Sequence, residues 1–321
     1  MDRSKGGLLK VQANVLIKTT DMDRDEWLEW RRKGIGGSDA AAIVGLDRYK
    51  SPFEVYAEKL GLKTEEPDNE AMRQGRDLEE YVVKRFEEAT GKKTRRRKAI
   101  LQHPEHPFMI ANIDRRVVGE NAGLECKTTS VLNPTRFDKG EYPANYYVQC
   151  MHYMAVTGAE KWYLAVLVLN KAFHVFEIER DEDEIKALIE AEKDFWENHV
   201  LKQIPPAPDG SESAKEIIKS LYPTTEREST VLFGYEEKIA KYLELEEQIK
   251  ELTKQQEALK QELQLAMQDA EIGHAQGYVV EWKAQTRQSL DTKRLKKEMP
   301  EIYEKFLKPA QTVRIFKIKE V

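Results

Sequence analysis

The sequence predicts an α/β fold, a central mixed sheet flanked by helices, on three observations. Apolar residues recur at helical spacing through residues 21–90, and strand-like runs follow at 95–102, 107–118 and 123–130. Helix, hairpin and helix then alternate to about residue 203. Past the polar, proline-containing stretch IPPAPDGSESA the pattern becomes a long heptad. We therefore expect a core domain over 1–204, a linker over 205–234, and a C-terminal region over 235–321 made of a helical or coiled-coil segment and a small α+β part.

The elements follow in order. Trp27 and Trp30 are spaced for one helix face and are expected in the core. The turn GIGGSDAAAIVG follows, with Ser38 or Asp39 placed to cap an alanine-rich helix. Phe53, Tyr56, Ala57 and Leu60 mark a helix closed by Gly61, and Leu78, Tyr81, Val82, Phe86 and Ala89 form the stripe of the next. After the three strands, YPANYYVQCMHYMAVTG reads as a helix from Pro143 to Gly158. A hairpin turning near Asn170 and Lys171 precedes an acid-capped helix. Leu245, Ile249, Leu252, Leu259, Leu263 and Ala266 then lie in steps of four and three around Gln256, as in a coiled coil or helical hairpin. The last stretch suggests strand, helix and strand.

Composition narrows the class. With 321 residues, 34% charged and 40% apolar, the chain suits a globular protein with a sizeable core. No apolar run reaches the roughly 18 residues of a membrane span, and the opening MDRSKGGLLKVQANVLIK lacks a signal-peptide core. The two cysteines, Cys126 and Cys150, are too few for a disulfide framework or a four-cysteine cluster, so a reducing cytoplasm is expected. A net charge of −5 does not by itself announce nucleic acid, yet KKTRRRK at 92–98 packs six cations into seven positions. Such a run is a solvated strand or a track for phosphates.

The chemistry-bearing pattern lies in ANIDRRVVGENAGLECKTTS. Alternation puts Glu125 and Lys127 on one face of a strand and Cys126 on the other. A hairpin turning over Gly119–Gly123 brings Asp114 beside Glu125. Adjacent carboxylates repel unless a cation sits between them, so the group is either a surface ion pair or a site for magnesium or manganese. Glu79, on the preceding helix, is near enough in the chain to add a carboxylate. Gln149 and Tyr153 stand one helical turn apart on the following helix. Arg31 and Ser38 flank a turn at a helix N-terminus, where a phosphate would sit well.

Taken in order, W-x-x-W-R…G-G-S, G-x-x-x-E, I-D, L-E-C-K-T and Q-x-x-x-Y, spanning residues 23–200, resemble the YqaJ-type viral recombinases, relatives of phage lambda exonuclease in the PD-(D/E)xK nuclease superfamily. The resemblance implies a restriction-endonuclease-like core and magnesium-dependent 5′→3′ exonuclease action on double-stranded DNA ends. It implies magnesium, with manganese as a substitute, on Asp114, Glu125 and the backbone carbonyl of Cys126, with Glu79 as an outer carboxylate. Lys127 would orient and help deprotonate the attacking water, Gln149 would position the polar network, and Tyr153 would support that helix. Arg31 and Ser38 would take the 5′-phosphate. Asn112 stands where relatives offer a hydroxyl, and Asn133, with Arg136 nearby, where they place a further cation. The implied partners are a single-strand annealing protein and other copies of the chain in a ring-shaped oligomer, commonly a trimer, in the cytoplasm. A general or structure-specific endonuclease and a silent DNA-binding protein are the rival readings.

Overall fold

The computed structural model describes residues 13–63, 69–133, 135–309 and 312–319. Most of the opening stretch read for a signal peptide lies outside them. Two compact units divide the chain, Met1–Tyr222 and Pro223–Val321.

In the first unit β1 (Asn14–Lys18) leads to α1 (Arg24–Arg32), α2 (Gly37–Ile43), α3 (Pro52–Lys59) and the long α4 (Glu70–Thr90). Asp23, Ser51 and Asn69 each accept an amide at a helix start, and Gly91 closes α4 with φ 70°. Next come β2 (Thr94–Arg96), β3 (Ala99–Gln102), β4 (Ile110–Ala111), β5 (Arg115–Val117), β6 (Ala122–Thr129) and α5 (Ala144–Thr157). The unit ends with β7 (Lys161–Val168), β8 (Ala172–Glu179), α6 (Glu182–Phe195) and α7 (Glu212–Leu221).

The central sheet runs β2-β5-β6-β7-β8, with β6 and β7 parallel and the other pairs antiparallel. A parallel pair needs a crossover, and α5 supplies it. Alternation sorts the faces of the sheet. Leu124, Tyr163 and Ala165 pack on Val82, Val83 and Phe86 of α4, whereas Trp162, Leu164 and Val166 join α2, α5 and α6 in the larger core. Gly123 permits this stacking: a Cβ there would lie 2.2 Å from the Trp162 ring. His152 is fully buried between Glu192 of α6 (Nδ1 to Oε1, 2.8 Å) and the Ile110 carbonyl (Nε2 to O, 2.9 Å), so it ties α5 to α6 and β4.

Several expectations change. The runs 95–102 and 107–118 each feed two sheets, because β3 and β4 leave the central sheet to pair with each other and β3 with β1, a strand the sequence reading missed. The α4 stripe is Val82, Val83 and Phe86, while Tyr81 and Ala89 are exposed. Helix α2 starts at Gly37 behind Gly36, and Asp39 caps it from inside by accepting the Gly36 amide (3.1 Å). Trp27 and Trp30 are half-buried rather than core: Arg31 lies 5.0 Å from the Trp27 ring centre and Lys33 3.7 Å from that of Trp30. Within the stretch read as linker, α7 packs Ala214 and Ile217 against Phe53 and Ala57 of α3.

In the second unit a single helix, α8 (Glu236–Met267), covers the heptad. The hairpin β9 (Ile272–Ala275) and β10 (Tyr278–Glu281) follows, then α9 (Thr292–Glu298) and α10 (Pro300–Lys305). Pro300 divides what reads as one helix, since proline disfavours helical backbone at the residue before it. The final strand expected at 312–320 does not form over 312–319.

Candidate active site

The register Arg115↔Leu124 and Arg116↔Gly123 puts Asp114 opposite Glu125 at the end of the β5–β6 ladder. Asp114 Oδ2 accepts the amide of Cys126 (2.8 Å). Alternation turns Glu125 and Lys127 toward α5, while the Cys126 thiol packs on the α4 side. Lys127 Nζ donates to Gln149 Oε1 (2.8 Å) and stands 2.7 Å from Glu125 Oε1. Gln149 Nε2 donates to the same Glu125 oxygen and to the Tyr153 hydroxyl, both at 2.9 Å. Tyr153 in turn donates to the Asn112 carbonyl (3.3 Å). Glu125, Lys127, Gln149 and Tyr153 thus form one network, with Asp114 beside it on the Cys126 amide, and α2 is drawn close to it. A Cβ on Gly37 would lie 2.7 Å from the Tyr153 ring.

The network is electrostatically unfinished. Burial and repulsion from Glu125 and Glu79 push the Asp114 carboxyl well above the ordinary carboxylate range. Glu125 is 3% exposed, and its Oε2 is buried with no hydrogen-bond partner. A buried carboxylate oxygen without a donor is costly. Two crowded carboxylates, one with a bare oxygen, fit a hard divalent cation such as magnesium or manganese. Lys127 cannot fill that role alone, because its ammonium is already engaged by Glu125 Oε1 and Gln149. Burial opposes its charge, yet Glu125 raises its pKa further above the ordinary lysine value, so it remains an ammonium.

Glu79 has an arginine partner. Its Oε1 accepts from Arg115 Nη1 (2.6 Å), while Arg115 Nη2 reaches Glu80 (2.5 Å). Among the described residues no three His, Cys, Asp or Glu side chains come close enough to share an ion. A carboxylate that neutralises a buried arginine is already committed, so Glu79 acts on Asp114 through space.

Asp114 and Glu79 line a cavity of about 1040 Å³, and Arg31, Ser38 and Asn112 line it too. Its walls also carry Arg24, Arg32, Lys50, Lys59, Lys63, Arg76, Arg96, Arg97 and Lys98, which outnumber the acids. The basic run is thereby divided. Lys92 and Lys93 pair with Glu120 and Glu87 at its far end, and Arg96–Lys98 face the cavity.

Arg31 Nη2 donates to Ser38 Oγ (3.1 Å) and stands 3.5 Å from Asp39 Oδ1. The sequence reading gave Asp39 only as a candidate cap. Fully buried, it binds Lys59 Nζ (2.6 Å) and Lys50 Nζ (2.9 Å), and Lys50 also pairs with Glu58. Burial would raise its pKa, but Lys50, Lys59 and Arg31 together hold it well below the ordinary value. One carboxylate thus gathers three cations at the cavity wall. Nothing local in the sequence links Lys50 and Lys59 to Asp39.

Among the described residues no helix is long and apolar enough to cross a membrane. Residues 26–160 match the family model of the YqaJ-like viral recombinase domain. The chain is 45% identical over 315 residues to the uncharacterized protein YqaJ of Bacillus subtilis (strain 168), covering 97% of this chain and 98% of that one. Among solved structures it is similar to an alkaline exonuclease (LHK-Exo) from Laribacter hongkongensis, with a TM-score of 0.47 and 20% identity over 56% of this chain and 94% of that one. It is also similar to a phage related exonuclease from Haemophilus somnus 129PT, with a TM-score of 0.43 and 14% identity over 53% of this chain and 96% of that one.

Proposed function

Since this chain belongs to the YqaJ-like viral recombinase family, we propose that it is a magnesium-dependent 5′→3′ exonuclease of linear double-stranded DNA. In this reading it prepares DNA for recombination in the bacterial cytoplasm, and a single-strand annealing protein takes up the strand it leaves. The observation that carries the reading is the bare, buried Oε2 of Glu125 beside Asp114 at the edge of a cationic cavity.

Asp114, Glu125 and the Cys126 carbonyl would hold the ion, which when bound makes an attached water acidic and offsets charge on the phosphate. Lys127, kept as an ammonium, is a donor rather than a base: it orients the attacking water and steadies the phosphate oxygens. Gln149 fixes Lys127 and Glu125 relative to each other through one amide, and Tyr153 fixes Gln149. Glu79, bound to Arg115, adds negative potential near Asp114 and favours a cation there. Arg31 and Ser38 receive the terminal 5′-phosphate, and Arg96–Lys98 follow the duplex backbone. Such contacts ignore sequence and weaken steeply with salt.

Digestion of linear duplex, phosphorylated at one 5′ end, beside a covalently closed circle tests this, with Glu125→Ala as the blank. Loss of the linear DNA alone, with nucleotides released from the phosphorylated strand, is expected. Cleavage of the circle would establish an endonuclease, and no cleavage of either a silent binding protein. Arg31→Ala is expected to slow digestion of phosphorylated ends about 10- to 100-fold, the worth of a charge-assisted hydrogen bond of about 1.5–3 kcal/mol. Ends bearing a 5′-hydroxyl should be little affected; an equal loss on both would remove Arg31 from the phosphate grip.

A further inference from the structure

The segment that brings Asp114 to the site is held by α5 rather than by a sheet. Ile110 and Ala111 pair with β3, and Arg115 and Arg116 with β6, so Asn112, Ile113 and Asp114 cross between the two sheets outside both ladders. Two consecutive residues of α5 fix this crossing. Tyr153 donates to the Asn112 carbonyl (3.3 Å), and His152 Nε2 stands 2.9 Å from the Ile110 carbonyl. Gln149 precedes them by one helical turn and donates to Glu125 (2.9 Å). A single turn of α5 therefore grips both carboxylates: Glu125 directly through Gln149, and the approach to Asp114 through His152 and Tyr153.

Glu192 decides where His152 carries its hydrogen. A carbonyl oxygen only accepts, so Nε2 must be protonated to bond Ile110. A neutral imidazole facing an ionised carboxylate would put its one hydrogen on Nδ1 and leave two bare acceptors, Nε2 and the Ile110 oxygen, against each other. The pair therefore holds a second proton between Nδ1 and Glu192 Oε1, which lie 2.8 Å apart. Imidazolium with carboxylate and imidazole with carboxylic acid both meet this need. Each is neutral as a pair, which suits two side chains that are fully buried. The other Glu192 oxygen is buried with no hydrogen-bond partner among the described residues, so this acid serves His152. We propose that His152, oriented by Glu192, is a positioning residue for the ion site: it fixes the segment carrying Asp114 where Asp114 and Glu125 can share a divalent cation. The inference rests on the magnesium site of the proposed exonuclease.

Calorimetric titration of the full-length chain with magnesium, without DNA and with Glu125→Ala as the blank, tests this. His152→Asn keeps a donor where Nδ1 stands but cannot reach Ile110. Its magnesium affinity is expected to fall about 10-fold or more, as for other groups that orient a metal's ligands. Glu192→Gln offers an amide donor to Nδ1, leaves the hydrogen on Nε2, and should bind magnesium as the wild type does. Where His152→Asn melts too low to titrate, His152→Leu with Glu192→Leu breaks the same link with an apolar pair in place of the polar one. A purely structural role predicts a lower melting temperature in EDTA with magnesium affinity unchanged, and that result overturns the proposal. So does Glu192→Gln binding as weakly as His152→Asn. A wild type that binds magnesium but digests no DNA would refute the exonuclease and leave the role of His152 standing; a wild type that binds none overturns both.

Discussion

Asp114→Asn is expected to abolish cleavage and, in EDTA, to raise the melting temperature. The two effects share one cause. Burial and the neighbouring Glu125 and Glu79 carboxylates raise the folded-state pKa of Asp114 well above its unfolded value. A carboxyl raised in this way contributes stability below its unfolded pKa, and that contribution is lost as pH rises through the folded value. Above that folded value the charged Asp114 carboxylate weighs against the fold, and the neutral amide removes the repulsion. Its oxygen can still accept the Cys126 amide that Asp114 Oδ2 accepts now. Magnesium should stabilise the wild type and not the variant, because it binds only where the charge is. Loss of one transition-state-stabilising group of this kind reduces turnover about 10²- to 10³-fold or more. Retained cleavage, or a lower melting point in EDTA, would place the chemistry elsewhere.

Asp39→Asn is expected to act in the opposite direction on stability. Removing the charge that compensates Lys59 leaves a buried cation unpaired, a change that costs about 3–5 kcal/mol, while Lys50 keeps Glu58. Ser38→Ala, next to it and exposed, should cost little. The folded pKa of Asp39 is depressed, so its stabilisation is present above the unfolded value near 3.8 and disappears as pH falls through the lower folded value. Urea unfolding at pH 7 and again near pH 2 gives the check: the gap between wild type and Asp39→Asn should be wide at pH 7 and narrow in acid. A gap of equal width at both would mean that Asp39 matters for packing rather than for its charge.

The candidate site residues were legible because they sit on short, regular elements. Two-residue alternation alone puts Glu125 and Lys127 on one face, and a hairpin brings Asp114 alongside. A helical turn separates Gln149 from Tyr153. Asp39 was not legible as an electrostatic centre, since its partners Lys50 and Lys59 come from a loop and another helix and carry no spacing signature relative to it. The sequence reading gave Glu79 as an outer carboxylate and did not see its pairing with Arg115, which faces it only after β5 docks on α4. Trp27 and Trp30 have the spacing of a core stripe, yet they end half-buried under Arg31 and Lys33.

By itself, then, the sequence determined the α/β class, the order of most elements, the α8 heptad and the grouping of Asp114, Glu125 and Lys127. All of these rest on periodicities of a few residues, which backbone geometry imposes locally. Tertiary structure decided how one strand-like run divides between two sheets and where α7 packs. It also decided which acids are spent on arginine or lysine and which are left for a cation. Those outcomes depend on which distant side chains share a buried volume, and desolvation there makes each charge pairing strongly favourable or strongly costly.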